Sequence, residues 1–206
     1  MKKTAVIILI AMAAVSCQPK EKIEKETTSM ETKNHWGDFA EIAPTEISEN
    51  VIQLIGKEWM LITAGTESAF NSMTASWGAL GEIWSKPASF IMVRDSRYTY
   101  QFLQENGIYT LCFFDEAYKE ALTIMGTKSG RDTDKVKESG LTPVVTPNGS
   151  MAYAEAKMVI ECKKLYAEPF KEEAFTDKET FERIYVKGDN SIHTFYVGEI
   201  LNVWTK

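Results

Sequence analysis

Two histidines and three cysteines are all that this chain of 206 residues offers to a transition metal or a thiol enzyme. The cysteines, Cys17, Cys112 and Cys162, show no C-x-x-C spacing, and they make no metal-ligand pattern with His35 and His193. A GxSxG elbow, a GxGxxG turn and a P-loop are missing as well, and nothing pairs a nucleophile with a base. Basic surface is scarce. With 23 basic against 29 acidic residues the net charge is −6, and no long Lys/Arg patch exists, which argues against nucleic acid as a partner. The N-terminal apolar run, Ala5 to Val15, is too short to cross a bilayer as a helix.

What is present is ordinary for one globular domain with a sizeable core: 44% hydrophobic and 25% charged residues. Residues 1–16 read as an address, with Lys2-Lys3 ahead of the apolar run. Ala14-Val15-Ser16-Cys17 then resembles a bacterial lipobox, with Ala14 where leucine is commoner. The expectation is a lipoprotein signal peptide over 1–16 and lipidation of Cys17; an ordinary secretory signal cut nearby is the alternative. The lipid would anchor the protein to a membrane of the bacterial cell envelope, outside the cytoplasm, without spanning it. Removing Lys2 and Lys3 with the signal leaves 21 basic against 29 acidic residues, a net of −8, so the acyl chain rather than surface charge would do the holding. Residues 17–35 are read as the lipidated cysteine and a flexible linker, since QPKEKIEKETTSMETK buries too little to order itself. The domain is expected over 36–206. An oxidising compartment permits a Cys112–Cys162 disulfide, although both lie in apolar segments where a free thiol also packs.

The stretch from Asn71 to Thr99, NSMTASWGALGEIWSKPASFIMVRDSRYT, carries the most chemistry. Asn71, Ser72, Thr74 and Ser76 supply donors and acceptors in quick succession. Ala75 and Gly78 leave room for a flat ligand near the backbone, and Trp77 adds an aromatic face. Ser89 to Val93 reads as a buried strand ending in Arg94, Ser96 and Arg97, with Thr99 at a helix start. Two guanidinium forks beside helix N–H groups suit a phosphate. A flat platform followed by a phosphate clamp matches the two ends of FMN. The competing reading is a hydroxyl-rich strand followed by surface arginines.

Along the rest of the chain, His35 to Glu49 reads as an arm laid across the fold. Val51–Ile55, Trp59–Ala64 and Glu67–Ser76 read as strands, and Gly78–Pro87 as a loop carrying Trp84, which either covers a ligand or packs. Tyr98–Glu105 is predicted helical, stopped by Asn106-Gly107, and Ile108–Phe114 is a strand. Asp115 is expected to cap a helix running to Met125, and Asp132–Ser139 to form a short charged helix. Met151–Tyr166 is either one long strand or, from Tyr153 to Lys164, a helix. Thr176–Glu179 reads as a capping box for a helix through Tyr185, and Ile192–Trp204 as the closing strand.

N-x-M-T-A-S-W, Lys86-Pro87, an apolar strand, R-x-S-R-Y-T-Y, the TKSGRDTDK segment and the terminal HTFYVGEI follow one another in an order that resembles the flavin reductase-like family. The similarity is to its flavoredoxin-like branch and runs from about Val51 to Trp204. The resemblance implies a mainly β fold with helical decorations, a six-stranded Greek-key split β-barrel, usually a homodimer, that binds FMN. Carried over by position, Met73, Thr74, Ala75 and Ser76 would lie along the flavin ring with Trp77 at its edge. Arg94, Ser96, Arg97 and Thr99 would hold the phosphate, and Lys135 would reach it from a separate helix; Lys128, Ser129 and Arg131 share that loop. His193 stands between a site role and a structural one. The family's Val-Asn pair is replaced here by Leu111-Cys112. No catalytic side chain and no metal is expected, because the cofactor would carry the chemistry. Three readings stay open: an oxidoreductase passing electrons from NAD(P)H to flavin or another acceptor, an FMN electron carrier serving a redox partner, and a flavin-binding module without turnover.

Overall fold

The computed structural model describes residues 35–188 and 191–206; the signal peptide and Cys17 lie outside them, as does the linker but for His35. A hairpin of β1 (His35–Trp36) and β2 (Phe39–Ile42) leads into α1 (Val51–Gln53), which continues as a π-helical turn through Leu54–Glu58. Four strands follow: β3 (Met60–Thr66), β4 (Ala69–Ala75), β5 (Gly78–Ile83) and β6 (Lys86–Arg94). Then come α2 (Tyr98–Glu105), β7 (Ile108–Phe113), α3 (Lys119–Thr127) and α4 (Lys135–Ser139). A hairpin of β8 (Pro143–Val145) and β9 (Met151–Tyr153) precedes the long β10 (Met158–Pro169), the short α5 (Lys178–Phe181) and β11 (His193–Thr205).

The main sheet is antiparallel and runs β5-β6-β11-β10-β7-β3-β4. β11 is its spine. It pairs with β10 along one edge, and along the other with β6 through residues 193–199 and with β2 through residues 203–205. Two register shifts, an extra Leu201 on β11 opposite Glu161/Cys162 and an extra Leu165 on β10 between Lys164 and Tyr166, let so long a pair bend. Among the described residues no ladder joins β4 to β5 or β6, so the barrel is split at that seam. This is the mainly β split barrel that the resemblance implies.

β3 shows why the wall is stable. Its residues are buried on both faces, so the strand reads as a continuous apolar run. Met60, Ile62 and Ala64 enter an inner core with Leu103, Tyr109 and Tyr196. Leu61 points the other way, into a second cluster with Leu122, Met125, Tyr153 and Trp204.

Several elements differ from expectation. Val51–Ile55 is helical rather than a strand, because the Asn50 side chain accepts from the N–H groups of Ile52 (3.0 Å) and Gln53 (3.1 Å). Gly78–Pro87 is no loop but a hairpin whose two-residue turn, Trp84-Ser85, has positive φ at both positions (52° and 56°). That is the type I′ geometry that matches strand twist, built without its usual Asn-Gly. Trp84 stands exposed at its tip. Residues 154–157 interrupt the long strand from Met151, and the helical alternative for Tyr153–Lys164 is excluded. Asp115 makes no side-chain cap bond, whereas Asp134 and Asp177 do. Cys112 and Cys162 are free, fully buried, and belong to different core clusters; burial pushes both thiols up to about 12.

Gly198 fixes a close approach in the inner core. A Cβ there would lie 2.1 Å from the Tyr109 hydroxyl, which shares a 2.7 Å hydrogen bond with Ser89. Ser89 also donates to Cys162 Sγ at 3.1 Å. Gly198→Ala is expected to destabilise the domain by about 1–3 kcal/mol, the usual cost of overpacking. Part of that loss should return in a Tyr109→Phe background. Urea midpoints for the double-mutant cycle check this; strict additivity would show that the two groups do not collide.

Candidate functional site

A cleft of about 170 Å³ opens at the seam. One wall is the end of β4 and the residues after it, Met73, Thr74, Ala75, Ser76 and Trp77. Facing them are Met92 and Arg94 from β6, Arg97, and His193 at the start of β11. β4 pairs with β3 as far as Ala75↔Met60, so the ladder ties down one edge of the strand and leaves the other toward the cleft. Thr74 is anchored as well, its hydroxyl donating to Leu122 O at 2.5 Å. Asn71 and Ser72 lie in the interior. Asn71 Nδ2 donates to Thr99 Oγ1 (2.6 Å), and Ser72 bonds Thr63 (2.8 Å) and Tyr153 (2.7 Å).

A second hollow of about 240 Å³ adjoins the first, and Arg97 lines both. It holds Ser96 and Thr99 at the start of α2, Gly126 to Ser129 at the end of α3, and Lys135. No side chain caps α2; the Tyr100 N–H donates to Arg97 O at 3.0 Å, and the Tyr98 and Thr99 N–H groups open the helix beside this hollow. Two cations gather on the last carbonyls of α3. Arg97 Nη2 donates to Gly126 O at 2.6 Å; Lys135 Nζ donates to Met125 O at 3.2 Å and Lys128 O at 3.4 Å. Lys135 is buried, and burial, helped by the Arg97 charge, lowers its pKa from 10.5 to about 8. Two crowded cations beside an uncapped helix N-terminus are a setting in which a bound anion relieves strain. Asn71 holds this corner in shape, because Gly130 packs so tightly that a Cβ there would lie 2.3 Å from Asn71 Oδ1.

The structure thus brings together all ten residues singled out in the sequence, but it divides the arginines. Arg97 faces the cationic hollow. Of the two hollows Arg94 lines the first, and it donates to Ser191 O (2.9 Å), Ser191 Oγ (3.3 Å) and Ile184 O (3.2 Å), which makes it a tie between β6 and the segment before β11. His193 is buried in the cleft wall, shares a 3.0 Å hydrogen bond with Tyr185, and lies 5.2 Å from the Trp77 ring. Leu111 and Cys112 are core residues of β7.

Sequence reasoning missed Met92, whose spacing of two from Arg94 on one strand could have revealed it. It also missed a cavity of about 530 Å³ beyond Trp77, walled by Phe170, Phe175 and Tyr185. No local pattern announces that wall, since its residues meet only after the chain between β10 and β11 folds back.

The profile of the flavin reductase like domain family matches residues 53–206. Among curated proteins no sequence matches. Solved structures share the fold. Flavoredoxin of Desulfovibrio vulgaris (Miyazaki F) is 23% identical with a TM-score of 0.55, over 72% of this chain and 69% of that one. An FMN-binding domain of a flavin reductases-like enzyme from Shewanella baltica is 14% identical with a TM-score of 0.59, over 82% and 77%. An NADH:FAD oxidoreductase from Streptomyces globisporus is 17% identical with a TM-score of 0.54, over 72% and 75%.

The Lys135 shift has a sign that can be checked in ligand-free protein. Its folded pKa, about 8, lies below the ordinary 10.5. Between those values the unfolded chain keeps a proton that the folded chain has released, so stability rises with pH across this window. Lys135→Met should abolish that rise and should leave the variant more stable than the parent near neutral pH, by at most roughly 3 kcal/mol. Urea midpoints at neutral and alkaline pH test it; an unchanged pH slope would take Lys135 out of the cation cluster.

Proposed function

The chain belongs to the flavin reductase-like family, and on that premise we propose that it is a flavoprotein whose cleft and cationic hollow together hold FMN. The ring would lie along Met73–Trp77 with the phosphate among Ser96, Arg97, Thr99 and Lys135. The observation that carries this reading is Arg97, which lines both hollows and stands with buried Lys135 over an uncapped helix start. The unpaired edge of β4 supports the ring assignment, since a flavin's amide-like edge can bond to it as another strand would. Arg94 would shape the ring site through its ties to Ser191 and Ile184, a change from the clamp role first expected.

Bound FMN would supply the electron chemistry, taking and giving one or two electrons. The chain's own residues would seat it. Thr74, fixed on Leu122 O, holds the β4 wall rigid, and His193 and Trp77 close one end of the cleft. We infer an oxidoreductase that passes electrons between NAD(P)H or another donor and flavin or another acceptor. A second reading, an FMN electron carrier without NAD(P)H turnover, is favoured by the lipobox-like Ala14-Val15-Ser16-Cys17. A lipid on Cys17 would place the domain at the cell envelope, away from cytoplasmic nicotinamides and near a membrane redox partner. Homodimer assembly belongs to the same proposal and rests on the family resemblance.

Purified protein is expected to quench the fluorescence of added FMN stoichiometrically. Arg97→Ala should weaken FMN binding about 10- to 100-fold, as expected for losing a charge-assisted bond, while riboflavin, which lacks the phosphate, changes little. Equal losses for both ligands would refute the phosphate assignment. FMN affinity should also fall as pH rises above about 8, where Lys135 loses its proton in the free protein, and Lys135→Met should flatten that fall. Steady-state NADH oxidation by the loaded protein separates the reductase from the carrier.

A further inference from the structure

The cavity beyond Trp77 has a chemistry of its own. Its volume is about 530 Å³, and its walls are rings. Phe170 and Phe175 meet edge to face with centroids 5.9 Å apart, and Phe175 meets Tyr185 at 5.8 Å and 66°. Phe195 on β11 backs Phe170 at 6.1 Å, so the wall is continuous with the barrel. Trp77, 45% exposed, turns an aromatic face toward this space. The polar side chains at its lining are Lys171, Arg183 and Thr180, with no carboxylate among them. Lys171 is paired with Glu168 at 2.7 Å; Arg183, which also feels the Asp177 charge, is the cation of the lining outside that ion pair. Asp177, on the same segment, caps α5 through the Thr180 N–H (3.2 Å) and hydroxyl (2.6 Å).

We propose that this cavity binds a planar aromatic anion, held between the Phe170, Phe175 and Trp77 rings with its charge at Arg183. Ring walls at edge and tilted angles reward a flat aromatic guest with both area and quadrupole contacts. The Arg183 guanidinium gives a carboxylate or phenolate a geometric partner. The site also has an address. Trp77 lines both this cavity and the seam cleft, and the Tyr185–His193 hydrogen bond crosses between them at 3.0 Å. A guest would therefore rest against the wall of the cleft. The identification of that neighbour as a flavin rests on the function proposed above; the binding of the guest does not.

The test uses 1-naphthoate and its neutral isostere 1-naphthamide, titrated calorimetrically into the full chain with and without FMN. The anion is expected to bind with a micromolar Kd and about tenfold more tightly than the amide. Arg183→Glu should abolish that preference, and Ala174→Trp, which fills the cavity from its exposed 3-10 turn, should weaken both probes at least tenfold. Neither variant should alter FMN affinity. Equal binding of naphthoate by parent and both variants, or no binding at all, would overturn the proposal. Naphthoate binding that responds to both variants in a protein that ignores FMN would uphold the cavity and sink the flavin reading. FMN binding with no naphthoate binding would do the reverse.

Discussion

A sheet that stops short of closing must find partners for the backbone groups along its last edges, and the molecule is arranged around that need. β4 and β5 are the two ends of the strand path. β5 has no buried residue, so water can serve its outer edge. β4 runs the other way, into a half-buried hollow between Met92, Arg94 and His193, where water has less room. Its residues 74–76 are therefore placed to pair with something other than a strand. A fully hydrogen-bonded barrel would have no such edge and no such cleft.

The second constraint is electrostatic. Collecting Arg97 and Lys135 on the terminal carbonyls of α3 is favourable for each cation singly, because carbonyl ends of helices attract positive charge. Together they oppose one another, and the Lys135 pKa, lowered first by burial, is lowered further by the Arg97 charge. The helix α2 points its N-terminus at the same spot, adding partial positive charge. Beside this hollow lies a cleft walled by Met73, Ala75, Met92 and Trp77. The two spaces thus run from a wall of mixed apolar and polar groups to a strongly positive corner, an order that fits the ring and phosphate ends of the ligand proposed above.

How much of this could be read in the sequence depends on how local the signal is. The residues from Met73 to Thr99 share one short segment, so their order alone placed nearly the whole candidate site. Lys135 was reached only through the TKSGRDTDK resemblance, because a lone lysine on a charged helix carries no signal of burial. The split barrel followed from the same ordered motifs. Val51–Ile55 misled because Val and Ile favour strands, and a single Asn50 side chain settled the contest for helix. β5 was hidden because Trp84-Ser85 does not look like a type I′ turn. The two arginines, three positions apart, were indistinguishable in sequence; their separation is made by Ile184 and Ser191, some ninety residues further on.

That separation bears on how the two cavities relate. Arg94 grips the segment between α5 and β11 at both Ile184 and Ser191, and its guanidinium sits 5.6 Å from the Tyr185 ring. The same side chain lines the seam cleft. It therefore holds Tyr185 in the wall of the aromatic cavity while Tyr185 holds His193 in the wall of the cleft. Desolvation raises the Tyr185 pKa above the ordinary phenol value despite the opposing Arg94 charge, so the hydroxyl shares its hydrogen bond with His193 as a neutral group. A strand end, one arginine and one tyrosine thus fix the partition between the seam cleft and the aromatic cavity. Arg97 lines both the seam cleft and the cationic hollow, and Arg94 has no place in the second. The different ties of the two arginines let a single split seam carry two adjoining cavities with separate walls.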